Sequence, residues 1–255
     1  MDALSLEAIL WVLSAVALAA FIHGALGIGF PMVVTPLIAL VTDVQTAIIV
    51  TLVPNIVVNV MSIYRGGQWA QSIGRYWPLA LFMLTGSVLG TIILVNSDPN
   101  PFRLILAFAL FFYLYTTLRS TRISFQFLHR HPRSSTVGTG FVAGLLGGTV
   151  NVSGPILLIY LLELSLPPLA MVQILNLCFL VGKISQTITF ASLGQISIEL
   201  MLFSLPLLAL SVACLLFGMR LRDRLPVATY KRWLHWLLAV VACLLVVQFF
   251  LQQLA

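Results

Sequence analysis

A single lysine inside an apolar helix is the first residue of this chain that could do chemistry. Lys183 stands in NLCFLVGKISQTITF (176–190), well inside the apolar run 170–190. An ionisable group at membrane depth is expensive to keep, and marks a functional position by default. Helical spacing puts Asn176, Lys183 and Thr187 on one broad stripe of that run, with Gln186 beside the lysine. VPNIVVNVMSIY (53–64) carries Asn55 and Asn59 in the same manner. A fixed ammonium among neutral amides suits a small anion, the lysine supplying charge and the amides direction. The same residues also suit a structural role, with the lysine on helix carbonyls and the asparagines as glue between helices.

Two further stretches offer donors of another kind. HGALGIGFP (23–31) places Gly24, Gly27, Gly29 and Pro31 inside an apolar segment, and GGTVNVSGPIL (147–157) does the same with Gly147, Gly148, Gly154 and Pro155. Glycine costs roughly 1 kcal/mol per helix position relative to alanine and proline about 3, so both segments should break there. A helix restarting near Pro31, and another near Gly154–Pro155, presents unpaired N–H groups and a partial positive charge, while proline in a first turn wastes no donor. Two such ends meeting would hold an anion. The candidate ligand set is Lys183, His23, Gly27, Gly29, Asn55, Asn59, Gly147, Gly148, Asn151, Ser153 and Gln186, with Thr35 and Thr149 as further donors. His23 could donate to the anion or carry a proton, or be a satisfied interior histidine. The glycines could instead serve close helix packing. Bulky residues at Gly27 or Gly147 should remove function, and those at Gly90 or Gly218, in unbroken runs, should be milder.

The elements that position these residues follow from composition. Of 255 residues, 60% are hydrophobic and 8% charged, and the mean hydropathy is +1.09, more than a soluble core absorbs. Runs long enough to cross a hydrocarbon layer of about 30 Å recur at 45–64, 76–95, 102–119, 170–190, 199–219 and 233–252. No alternation suggests a barrel, and lipid admits only helices or closed barrels. The net charge of +6 sits in short loops, which reads as topology and excludes nucleic acid. Cys178, Cys214 and Cys243 lack metal-ligand spacing and read as small buried residues. No cofactor or metal is expected, and the acidic Asp2 and Glu7 disfavour a cleaved signal peptide.

The chain repeats itself. FIHGALGIGFPMVVTPLIAL (21–40) aligns with FVAGLLGGTVNVSGPILLIY (141–160), pairing Phe21 with Phe141, Gly24 with Gly144, Gly27 with Gly147, His23 with Ala143 and, after one gap, Pro36 with Pro155. Downstream, Gly67 meets Gly194, Asn59 meets Gln186, Pro78 meets Pro206, and Gly90 meets Gly218. The basic loops 65–75, 118–135 and 218–233 should be cytoplasmic, and parity then makes 6–41 and 136–164 segments that enter and return, with both termini outside. The expected fold is an all-α polytopic membrane protein of two inverted-topology repeats, each a broken, re-entrant-like glycine-rich hairpin plus three transmembrane helices. Residues 1–120 form the first repeat, 121–135 a basic cytoplasmic linker and 136–255 the second repeat. Broken helices in inverted repeats are where many secondary transporters hold substrate.

The paired motifs GALGIGFPMVVTP and GLLGGTVNVSGP, each followed by a span ending near a glycine (YRGG and ASLG), resemble the TauE/SafE family of sulfite and organosulfonate exporters over essentially the whole chain. The resemblance implies a secondary transporter, with small anions such as sulfite or sulfoacetate as substrate, protons as coupling ion, and the bacterial inner membrane as location. Membrane lipid is then its other partner, and a homo-oligomer is compatible with the sequence.

Other readings carry their own marks. NVSGP puts Ser153 at a helix start, as a nucleophile of an intramembrane hydrolase would need, with His23 or His235 as base, but no hydrolase motif accompanies it. A carrier for another small anion would look alike. A cation carrier or channel fits poorly, because Asp43, Asp98, Glu163 and Glu199 all lie near span ends.

Overall fold

The computed structural model describes residues 5–67, 69–118, 130–222 and 227–254. Residues 121–129 of the expected linker, and Asp223 and Arg224 of the second basic loop, lie outside the described residues. Over the described residues the chain forms eleven helices and no strand.

Helix α1, Leu6–Leu26, starts at Ser5, whose Oγ accepts the Ala8 N–H at 3.2 Å. It stops at Gly27 with φ +81°, a left-handed turn that favours glycine. α2, Phe30–Ala39, restarts after Gly29 with Pro31 in its first turn. α1 has 21 residues and α2 only 10, about 31 and 15 Å at 1.5 Å per residue. The first broken segment is therefore one full-length helix and a half-length return, and Trp11 Nε1 donating to Leu37 O at 2.7 Å shows α2 doubling back along α1.

The run at 45–64 is not one helix: α3, Val44–Val50, and α4, Leu52–Gly66, meet at a 55° bend. Pro54 lacks the N–H that would bond back across that point, and the Thr51 hydroxyl takes up Ala47 O at 2.8 Å. α5 is Trp69–Val95 and α6 Asn100–Leu118. The second half opens with α7, Pro132–Val150, and α8, Gly154–Glu163. Here Asn151 takes the left-handed turn at φ +61°, and Thr136 Oγ1 meets Tyr160 Oη at 2.9 Å where α8 folds back on α7. α9, Pro168–Ser192, α10, Ile198–Leu221, and α11, Val227–Leu254, complete the bundle.

Six helices among the described residues are long and apolar enough to cross a membrane, and the bent pair α3–α4 would make a seventh span. Their outer faces expose residues such as Phe108, Leu202, Phe217 and Val247, as lipid requires. Cys178 is buried and Cys214 half-buried, but Cys243 is exposed on α11, so the expectation that all three are buried fails at the last.

Glycines set the closest packing. Where α7 crosses α5, a Cβ on Gly148 would run into Ser87 O and sit 3.0 Å from Gly90 Cα; one on Gly90 would run into Leu145 O. Where α1 crosses α10, a Cβ on Gly24 would run into Leu215 O and sit 3.1 Å from Gly218 Cα; one on Gly218 would run into Phe21 O. The crossing of α7 with α5 thus matches that of α1 with α10, residue for residue. Gly24 corresponds to Gly148, and Phe21 to Leu145. The alignment of Gly24 with Gly144 is one helical turn out of register, because glycines recurring every three or four residues match equally well after a one-turn slip. In the observed register Gly27 corresponds to Asn151, both at positive φ, Pro31 to Pro155, and His23 to Gly147. Gly90 and Gly218 are accordingly among the tightest positions in the bundle, contrary to the expectation that leucine there is mild.

Candidate functional site

The Lys183 side chain is 5% exposed and lies in a cavity lined by Pro31, Met83, Ser87, Gly147, Asn151, Ser153, Phe179, Gly182, Lys183 and Gln186. Its volume is about 10 Å³, room for about one water. Lys183 Nζ donates to Gln186 Oε1, and Gln186 Nε2 donates to Gly148 O at 2.9 Å. Among the described residues no carboxylate lines the cavity, so the ammonium's hydrogen-bond partner is a neutral amide. A buried charge without a counter-charge is costly, and an incoming anion is the group that would offset it.

The second break forms the wall facing the lysine. Asn151 Nδ2 donates to Thr35 Oγ1 of α2 at 2.6 Å, tying the two broken segments together. Ser153 precedes α8 and makes no capping bond, leaving the first-turn donors of α8 without a side-chain acceptor. A Cβ on Gly147 would find Met83 Cε and Ser153 Cβ at an ordinary 3.5 Å, so that glycine keeps the cavity open. Gly148 faces the α5 crossing and contributes its carbonyl.

The first break is built differently. Phe30 N–H donates to His23 Nδ1 at 3.2 Å, so Nε2 carries the ring proton and donates to Ser62 Oγ at 2.9 Å. His23 therefore caps α2, where its counterpart Gly147 leaves α8 uncapped. Gly27 O accepts from Asn176 Nδ2 at 2.8 Å, and Gly29, at φ +113°, supplies the turn before Phe30. Asn59 Nδ2 donates to Asn55 Oδ1 at 2.7 Å, and Asn55 Nδ2 and Asn59 Oδ1 are buried without a hydrogen-bond partner among the described residues.

The structure thus gathers Lys183, Gln186, Gly147, Asn151 and Ser153 at one cavity. It puts His23, Gly27, Gly29, Asn55, Asn59 and Gly148 outside that lining. Sequence reasoning missed Met83, Ser87, Phe179 and Gly182. Ser87, whose Oγ donates to Gly182 O at 2.9 Å, was visible as a polar residue in an apolar run; Met83 carried no signal. Among the described residues no histidine lines the cavity with Ser153, and His235 packs edge-on to Tyr113 at 6.1 Å. Neither base expected of a hydrolase is at the serine.

Among the described residues, eleven helices, six of them long and apolar enough to span, make this a polytopic helical membrane protein with a lysine buried in its interior. The chain belongs to the sulfite exporter TauE/SafE family, whose family model matches residues 12–245 and so takes in both breaks. No curated protein and no solved structure matches it.

Proposed function

We propose that this protein is a secondary transporter that exports a small sulfur-containing anion, such as sulfite or an organosulfonate, across the bacterial inner membrane in exchange with protons. The anion sits between Lys183 and the uncapped start of α8, with Ser153, Asn151 and Gln186 as neutral donors. The observation that carries the reading is the buried ammonium at a point where Pro31 of α2 and Ser153 before α8 converge. A charge-assisted contact is about twice as strong as a neutral one, and the helix end adds to it. The cavity's small volume suits an occluded stage of alternating access, in which the hairpins part to admit the anion.

Inverted repeats and outward termini belong to the same reading. Support comes from the bonds at the ends of the bundle. Arg103 Nη2 reaches Thr42 O at 2.6 Å, Gln248 Nε2 reaches Leu40 O at 2.9 Å and Gln45 Nε2 reaches Gln195 Oε1 at 2.9 Å. The turns after α2 and α9 and the C-terminal end of α11 therefore share one end. Arg65 and Arg222 line a cavity at the other. α1–α2 returns to the first end and α7–α8 to the second.

A thermal-shift screen of purified protein against sulfite, sulfoacetate, taurine, sulfate, thiosulfate and simple carboxylates tests the substrate class. A ligand at a hundredfold excess over its dissociation constant stabilises by about 2.7 kcal/mol. Stabilisation by sulfite or sulfoacetate and not by carboxylates is expected; stabilisation by carboxylates alone would move the protein to another anion.

A further inference from the structure

At the basic end of the bundle lies a second, larger cavity, of about 250 Å³, lined by Gly24, Gly27, Ser62, Arg65, Leu169 and Arg222 among others. Two guanidinium groups line it, both exposed, and none of its lining residues among those described is acidic. Its floor is chemically directed. Because His23 Nδ1 takes the Phe30 N–H, His23 Nε2 must donate to Ser62 Oγ, and a hydroxyl that accepts there keeps its own hydrogen for another partner. Ser62 lines the same cavity as the two arginines, so the histidine at the start of α2 leaves that hydroxyl hydrogen available to a ligand there.

We propose that this cavity is a second anion-binding site, taking a sulfonate or sulfur oxyanion between Arg65, Arg222 and the Ser62 hydroxyl before it reaches Lys183. The proposal rests on the reading of the protein as an anion transporter. It assigns a use to His23, as the positioning residue that fixes Ser62 as a donor. It also separates two size limits. The larger cavity, of about 250 Å³, has room for an anion with an organic tail, and the Lys183 cavity, about 10 Å³ as it stands, must open to hold one.

The test is calorimetric titration of sulfoacetate into full-length protein in detergent and in phosphatidylglycerol nanodiscs, at low and high salt. Lys183→Met silences the inner site and is expected to leave sulfoacetate binding that weakens as salt screens the exposed arginines. Adding Arg65→Gln and Arg222→Gln, both exposed and outside the packed interior, should lower that remaining affinity at least about tenfold. Ser62→Ala should lower it less, and Ser62→Thr, which keeps a hydroxyl, should restore it. Loss of all binding in Lys183→Met, or unchanged binding in the arginine variant, would overturn the proposal. Arginines that hold lipid phosphate but no sulfoacetate in nanodiscs would overturn it too. Failure of the wild-type protein to bind any sulfur anion would remove the transporter reading beneath it.

Discussion

Asn151 and Thr35 join the two broken segments: the amide at the left-handed turn after α7 donates to a hydroxyl on α2 at 2.6 Å, beside the cavity that holds Lys183. The bond makes the second break sensitive to the position of the first. Thr35→Val and Asn151→Gly each remove it, and Asn151→Gly does so without straining the φ of +61°. Each should cost about 1–3 kcal/mol of stability, because each leaves the other partner buried without its hydrogen bond. The double variant should cost no more than the larger single one. Full additivity in a denaturation-based double-mutant cycle would show that the hairpins are not coupled through this pair.

Glycine substitutions separate packing from site. Gly90→Ala and Gly218→Ala put a Cβ into the Leu145 and Phe21 carbonyls, backbone that cannot step aside, and should lower the yield of folded protein sharply. Gly147→Ala has ordinary contacts and should fold while losing much of its transport. Gly147→His would place an imidazole where His23 stands in the first half, capping α8 and filling the anion space, and should abolish anion binding in folded protein. Normal binding by Gly147→His would mean that the open start of α8 is not the site.

The histidine cap has its own consequence. His23→Leu leaves the Phe30 N–H without its acceptor in a fully buried place. An unsatisfied buried group costs about 1–3 kcal/mol, so thermal stability should fall by that order while Lys183-dependent binding survives at low temperature. Unchanged stability would show that the cap is dispensable.

Much of this fold was legible from single residues, because glycine, proline and charge act locally. The breaks at Gly27–Gly29 and before Gly154 follow from helix propensity alone, and the long spans from hydropathy. What escaped depends on partners distant in sequence. The bend at Thr51 hides in an uninterrupted apolar run, where only Pro54 hints at it. The one-turn slip in the repeat register is invisible when glycines recur at helical spacing, and with it went the correspondence of His23 with Gly147 that distinguishes a capped helix start from an open one. Met83, an ordinary apolar residue on α5, lines the site only because α5 crosses α7 at glycines.

Orientation is tested by labelling. In a background with Cys178, Cys214 and Cys243 replaced, cysteines at Ser5 and Gln253 should react with an impermeant reagent from outside intact cells, and one at Gly74, an open position, should not. Reaction at Gly74 alone would invert the topology. Opposite labelling of the two termini would remove the paired hairpins.

We place the fixed charge for the transported anion on Lys183. Sulfite efflux from proteoliposomes reconstituted with equal amounts of folded wild-type, Lys183→Met and Lys183→Arg protein measures it most directly. Methionine keeps most of the apolar stem and deletes the ammonium, so apparent affinity should fall at least about tenfold, roughly 1.4 kcal/mol. Arginine should retain part of the activity, limited by the wider fork. Efflux by Lys183→Met at the wild-type rate and affinity would leave Lys183 a structural cation with no part in holding the anion.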